Sequence, residues 1–229
     1  MLFEELKRYT DGFGQLYGSE DLCFLLYSLV KMRKPEFVLE LGTGMATTAL
    51  WMGMALKENK HGKITTIDNG SHWPLVIERF GSQLPKRYQL ENYDDYVKRV
   101  VDDYSLSQQI QFENIPIEKY QTENEIDILF SDYSHYIYNI YDIFSKYLVK
   151  MKSDSYLIID SVPGNKHSWI GLKNLIHSLN NGEVPSYITD TTEIHNKIKN
   201  SIFSLIPILE NKNREQNSTA MIHIGMRTT

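Results

Sequence analysis

The chain has 229 residues, 41% of them hydrophobic and 23% charged, which is enough for one large domain with a buried core and too apolar for a disordered chain. A formal charge of -5 excludes the basic excess with which nucleic-acid binders neutralise phosphates. The single cysteine, Cys23, cannot close an intrachain disulfide, and the charged N-terminus MLFEELKRYTDG does not read as a secretory signal. The longest uncharged stretch, 41–56, is broken by glycines and threonines and falls short of the ~20 apolar residues that cross a bilayer. A cytoplasmic protein without membrane or nucleic-acid partners is expected.

In chain order, Ser19-Glu20-Asp21 offers a cap and two acids at a helix start, and Leu22, Leu25, Leu26, Leu29 and Val30 follow at the spacing of one helical face. The helix spans about 20–33, carries Cys23 inside its apolar pattern, and stops at Lys34-Pro35. Five apolar runs read as buried strands: EFVLEL (36–41), KITTID (63–68), IQFEN (110–114), IDILFSD (126–132) and YLIID (156–160). Helical patterns at about 46–58, 91–105, 136–150 and 166–180 separate or follow them, and this alternation predicts an α/β fold with a doubly wound parallel sheet. SIFSLIPIL (201–209) and TAMIHIGMR (219–227), joined by a polar Asn-rich loop, predict a closing antiparallel hairpin.

A single domain over 1–229 is expected, with an N-terminal helical segment 1–34 and an insertion at about 69–91. That insertion makes the connection from Asp68 to Ile110 too long for one helix. Its Trp73, Leu75, Val76, Ile77 and Phe80 suit a lid, and equally a structural insertion or oligomer contact. Tyrosine-rich helices and the segment 1–18 suit a homodimer, and core packing accounts for them equally well.

Ligands of open parallel sheets bind at the carboxyl ends of strands. The first strand ends in Glu40-Leu41-Gly42-Thr43-Gly44, where glycines permit a tight turn and close approach of a ligand to the backbone. The string GTGMAT puts Thr47 where a dinucleotide fingerprint wants Gly or Ala, and no GK[ST] follows to make a phosphate loop. Glu40, two residues before the first glycine, would repel a pyrophosphate and suit an ammonium group. Asp68 ends the second strand, placed to accept hydrogen bonds from ribose hydroxyls. A nucleoside with a cationic, amino-acid-like tail satisfies all of these.

Glu40-x-Gly42-x-Gly44, Asp68, the strand ending in Asp132 and the closing hairpin together resemble the class I S-adenosylmethionine-dependent methyltransferases, over about 20–227. The resemblance implies a Rossmann-like sheet of seven strands in the order 3-2-1-4-5-7-6, with strand seven antiparallel. It also implies that Gly42, Thr43 and Gly44 line the methionine portion of the cofactor, that Asp68 holds the ribose, and that Asn114 and Ile115 flank the adenine. Thr48 would turn a hydroxyl toward the cofactor carboxylate, and Glu40 would act through water or order the turn.

The local likeness is to catechol-type O-methyltransferases and to the cephalosporin-hydroxylase-like, methyltransferase-24 group. In the catechol type, an Asp ending strand four and an Asp-Asn pair ending strand five bind magnesium, and a Lys follows the first Asp. This chain has Asp132-Tyr133-Ser134-His135-Tyr136 and Asp160-Ser161, with His135 in place of Lys and Ser161 in place of Asn. Asp132 and Asp160 are therefore candidate Mg2+ ligands. Alternatively, Asp132 hydrogen-bonds the cofactor and Asp160 caps a loop. His135 is the candidate base, since imidazoles change charge near neutrality, and His72 and His167 lie in loops of the same rim.

What the resemblance implies is an S-adenosylmethionine-dependent methyltransferase acting on oxygen of a small molecule, with Asp132 and His135 at the chemistry. Its rivals are a cofactor-binding protein with hydroxylase-like chemistry and a methyltransferase of peptides or proteins.

Overall fold

A computed structural model of the chain describes residues 2–12, 19–209 and 218–227. Seven strands form one sheet in the order β3-β2-β1-β4-β5-β7-β6, as the resemblance implies. The chain divides into two compact units, Met1–Gln121 and Thr122–Thr229.

The first unit holds α1 (Leu2–Asp11), α2 (Glu20–Arg33), β1 (Phe37–Leu41), α3 (Thr47–Asn59), β2 (Lys63–Asp68), α4 (Trp73–Phe80), α5 (Tyr93–Asp103) and β3 (Ile110–Asn114). Ser19 caps α2 by accepting the Leu22 amide at 3.1 Å, and Lys34, left-handed at φ 48°, ends it by donating its amide to Val30. α3 is buried without a break from Thr47 to Leu56, which is why its sequence lacks a polar stripe. β1 pairs with β2 and β2 with β3, all parallel, so Glu40 lies opposite Thr66 and Asp68 opposite Asn114.

The insertion has structure of its own. α4 turns Trp73, Val76 and Phe80 inward and leaves Leu75 63% exposed, so Leu75 does not share in packing the segment down. The indole of Trp73 lies 4.4 Å from the ring of Tyr96 and 5.3 Å from that of Tyr93, both on α5. Segment 1–18 contributes α1, whose Thr10 accepts the Trp51 indole N–H of α3 at 2.8 Å.

The second unit holds β4 (Ile126–Ser131), α6 (Ile137–Tyr147), β5 (Met151–Asp160), α7 (Lys166–Asn180), α8 (Thr192–Asn200), β6 (Ser201–Leu209) and β7 (Ser218–Met226). β4 and β5 are parallel, while β7 is antiparallel to both β5 and β6. The hairpin strands are present, and their Asn-rich connection lies outside the described residues. β5 starts five residues before the expected Tyr156, because polar Lys152 sits on it paired to Asp127 at 3.2 Å. α8, capped by Thr191, is not foreseen from the sequence. Among the described residues, no helix is long and apolar enough to cross a membrane.

Candidate functional site

In the first unit the turn after β1 is built by three linked devices. Gly42 and Gly44 take φ 96° and 51°, which side chains rarely adopt. The Gly42 amide donates to the Ile67 carbonyl at 2.9 Å, tying the turn to the end of β2. Asp68 then accepts the Gly44 amide on one oxygen at 3.0 Å and the Gly70 amide on the other at 2.9 Å. Its carboxylate is half-buried, with the Tyr93 hydroxyl also in reach, and among its four acceptor sites room remains for a further donor. Asn114, exposed, and Ile115, half-buried, follow at the neighbouring strand end.

Glu40 does not present a carboxylate to a ligand. It is 0% exposed, and its two oxygens accept Thr48 Oγ1 and Thr66 Oγ1, both at 2.5 Å. Thr43 lies 2.6 Å from Thr66; since Thr66 spends its proton on Glu40, Thr43 is the donor there. Burial pushes the Glu40 carboxyl up to about 7, against the pull of the two threonine hydroxyls and with a push from Asp68. The expectation of an ammonium partner is therefore corrected. Glu40 organises the turn from inside, and Thr48 aims its proton at Glu40 rather than outward.

Sequence reasoning missed the tyrosines of this unit. Tyr93, at the start of α5, donates to the Gly44 carbonyl at 2.7 Å, and Tyr9 of α1 donates to the Met45 carbonyl at 2.8 Å. Nothing local marks either as functional; only the docking of α1 and α5 brings them to the turn. Thr66 was legible in principle, because aligning the ends of the first two strands puts it beside Glu40.

In the second unit Asp132 follows the last residue of β4 and is half-buried, as is His135. The Nδ1 of His135 lies 3.4 Å from the Asp160 carbonyl, and Ser168 of α7 donates to the His135 carbonyl at 2.5 Å. In the tautomer that carries its proton on Nδ1, this contact is a donation to the carbonyl and Nε2 carries the lone pair. Asp160 is 1% exposed, and its two oxygens accept Ser161 at 2.8 Å and Thr219 at 2.9 Å. A magnesium ion keeps several waters, and a carboxylate 1% exposed between two hydroxyls leaves no room for them. Among the described residues, no three His, Cys, Asp or Glu side chains gather as a metal site. The donor set does not fit the magnesium site that the resemblance implies. His72 and His167 are exposed in their own segments.

A family described as Methyltransferase domain matches residues 39–162. No curated protein matches. Among solved structures, the O-methyltransferase TomG of Streptomyces achromogenes, involved in tomaymycin synthesis and solved with SAM, is 14% identical with a TM-score of 0.61, covering 97% of this chain and 90% of its own. A Bacillus cereus O-methyltransferase solved with SAH is 13% identical, TM-score 0.60, with coverages of 97% and 90%. A Geobacter sulfurreducens methyltransferase is 13% identical, TM-score 0.58, with coverages of 97% and 89%. At these identities the likeness is one of fold.

Proposed function

As the chain belongs to the Methyltransferase domain family, we propose that it moves the methyl group of S-adenosylmethionine to an oxygen of a small-molecule acceptor. The observation that carries this reading is the junction at Asp68. One carboxylate fixes the glycine turn through the Gly44 amide and stands in register with Asn114, leaving lone pairs for ribose hydroxyls. Glycines at positive φ on one side and the Asn114-Ile115 strand end on the other fit a nucleoside with a short polar tail. The solved neighbours that hold SAM or SAH on this fold support the choice of cofactor.

Bound there, the cofactor supplies a sulfonium-activated methyl group, so what remains for the protein is to align, desolvate and deprotonate. His135 suits the deprotonation, because its Nδ1 faces the Asp160 carbonyl and its backbone is held by Ser168, so Nε2 takes the acceptor's hydroxyl proton. Asp132, next to the end of β4, contributes to orienting donor or acceptor. No step runs through a metal.

Calorimetry with S-adenosylhomocysteine tests the reading. We expect a dissociation constant below about 100 μM, equivalent to roughly 5.5 kcal/mol of binding, and no detectable binding would overturn it. His135→Ala is expected to keep that affinity and lose on the order of 10²-fold or more in turnover, measured as S-adenosylmethionine consumed against a panel of hydroxylated acceptors.

A further inference from the structure

Three successive peptide planes of the cofactor turn are fixed by hydrogen bonds. The Thr43–Gly44 plane is held by its amide on Asp68 at 3.0 Å. The Gly44–Met45 plane is held by its carbonyl on Tyr93 at 2.7 Å, and the Met45–Ala46 plane by its carbonyl on Tyr9 at 2.8 Å. The amide of the last plane donates to the Thr43 carbonyl at 2.7 Å. Because a trans peptide is rigid, pinning its carbonyl also fixes the direction of its amide.

Such holding is needed. Ala46 sits in the left-handed region at φ 59°, which strains a residue with a Cβ and persists only where the surroundings over-determine it. Tyr96 lies 2.5 Å from the Tyr9 hydroxyl; as Tyr9 gives its proton to Met45, Tyr96 supplies the proton between them. Tyr9 and Tyr93 are buried, and burial raises both well above the ordinary phenol value, so they remain donors throughout the working pH range. The rings are braced in turn by Trp73, 4.4 Å from Tyr96, and by Tyr88, 6.0 Å from Tyr9.

We propose that Tyr9 and Tyr93, with Tyr96 behind them, are positioning residues for the cofactor turn, so that docking of the N-terminal helix α1 and of α5 sets the affinity for the methyl donor. This rests on the reading that the turn binds S-adenosylmethionine. Both hydroxyls give their protons to backbone carbonyls of the turn, which places their effect on donor affinity.

The test is calorimetry with S-adenosylhomocysteine on the full chain and on Tyr9→Phe, Tyr93→Phe and Tyr104→Phe. Tyr104 packs edge-on against Tyr9 at 5.7 Å and its hydroxyl reaches α1 through a long 3.5 Å contact to the Glu5 carbonyl, without touching the turn, and serves as the control for hydroxyl loss away from the turn. Losing one buried hydrogen bond is expected to weaken binding by about 3- to 10-fold in the first two variants. KM for the donor should rise in proportion, with kcat at saturating donor kept, and Tyr104→Phe should stay within about two-fold of the parent. Variants that melt earlier yet bind as tightly as the parent would overturn the proposal, leaving the tyrosines a purely structural role. If Tyr9→Phe does not fold, unchanged affinity in Tyr93→Phe alone is sufficient to overturn it. A parent chain that binds no S-adenosylhomocysteine would instead defeat the cofactor reading itself.

Discussion

At the scale of single residues, the Glu40 carboxyl shows how the turn uses an acid that never meets solvent. Folding buries it, so its value rises from 4.5 to about 7, and the folded chain binds this proton more tightly than the unfolded one. The stabilisation from that proton is fully present below pH 4.5 and is lost as pH rises through 7. A shift of that size corresponds to about 3 kcal/mol. Urea melts between pH 5 and 8 should therefore show stability falling toward neutrality, and Glu40→Gln should remove that fall while still bridging Thr48 and Thr66. A slope that survives the substitution would assign the pH dependence to other groups. Glu40→Ala, which strands two buried hydroxyls and leaves a cavity, is expected to cost about 2–4 kcal/mol at pH 5, where the parent carboxyl holds its proton, and less at pH 8. Asp160 is buried for a comparable reason, between two hydroxyls, so turnover should be indifferent to EDTA; stimulation by magnesium after chelation would contradict the metal-free site.

At the scale of elements, the contact between the β2 end and α5 is the narrow place. Gly70, at φ 63°, lies so close to Tyr93 that a Cβ would meet its ring carbon at 2.5 Å. Gly70→Ala therefore adds backbone strain and displaces the tyrosine that holds Gly44. A loss of about 1–3 kcal/mol is expected, read by thermal melts, together with weaker S-adenosylhomocysteine binding. The strands and most helices of this chain were legible because their signals are local: buried runs, the Ser19 cap, the Lys34-Pro35 stop. α8 and the polar start of β5 were not, since Thr192–Asn200 is short with Ile194 and Ile198 as its buried residues, and Lys152 belongs in a strand only because Asp127 waits on its neighbour. The candidate site divides in the same way. Gly42, Gly44 and Asp68 can be named from spacing, whereas Tyr9 and Tyr93 are distant in sequence from the turn they hold. The roles of Glu40 and Thr48 change once register sets Glu40 against Thr66.

For the whole molecule, function is partitioned along the chain. Every candidate cofactor residue except Asp132 falls in Met1–Gln121, while Asp132, His135 and Asp160 fall in Thr122–Thr229. A ligand that binds only folded protein stabilises what holds it, by about 2.7 kcal/mol at a hundred times its dissociation constant. For a chain of this size, that is a rise in melting temperature of roughly 5–10 °C. Hydrogen exchange locates the stabilisation where melting cannot. With S-adenosylhomocysteine bound, slowed exchange is expected at 40–48, 68–70, 93–96 and 114–115, and at α1 through Tyr9. The hairpin strands β6 and β7, which carry no candidate cofactor residue, should slow only as far as the global stabilisation carries them. His135→Ala should reproduce the parent's footprint, because its role is in proton removal rather than donor binding. Protection confined to 132–168, with the glycine turn unchanged, would move the cofactor away from Asp68 and contradict the assignment made from its geometry.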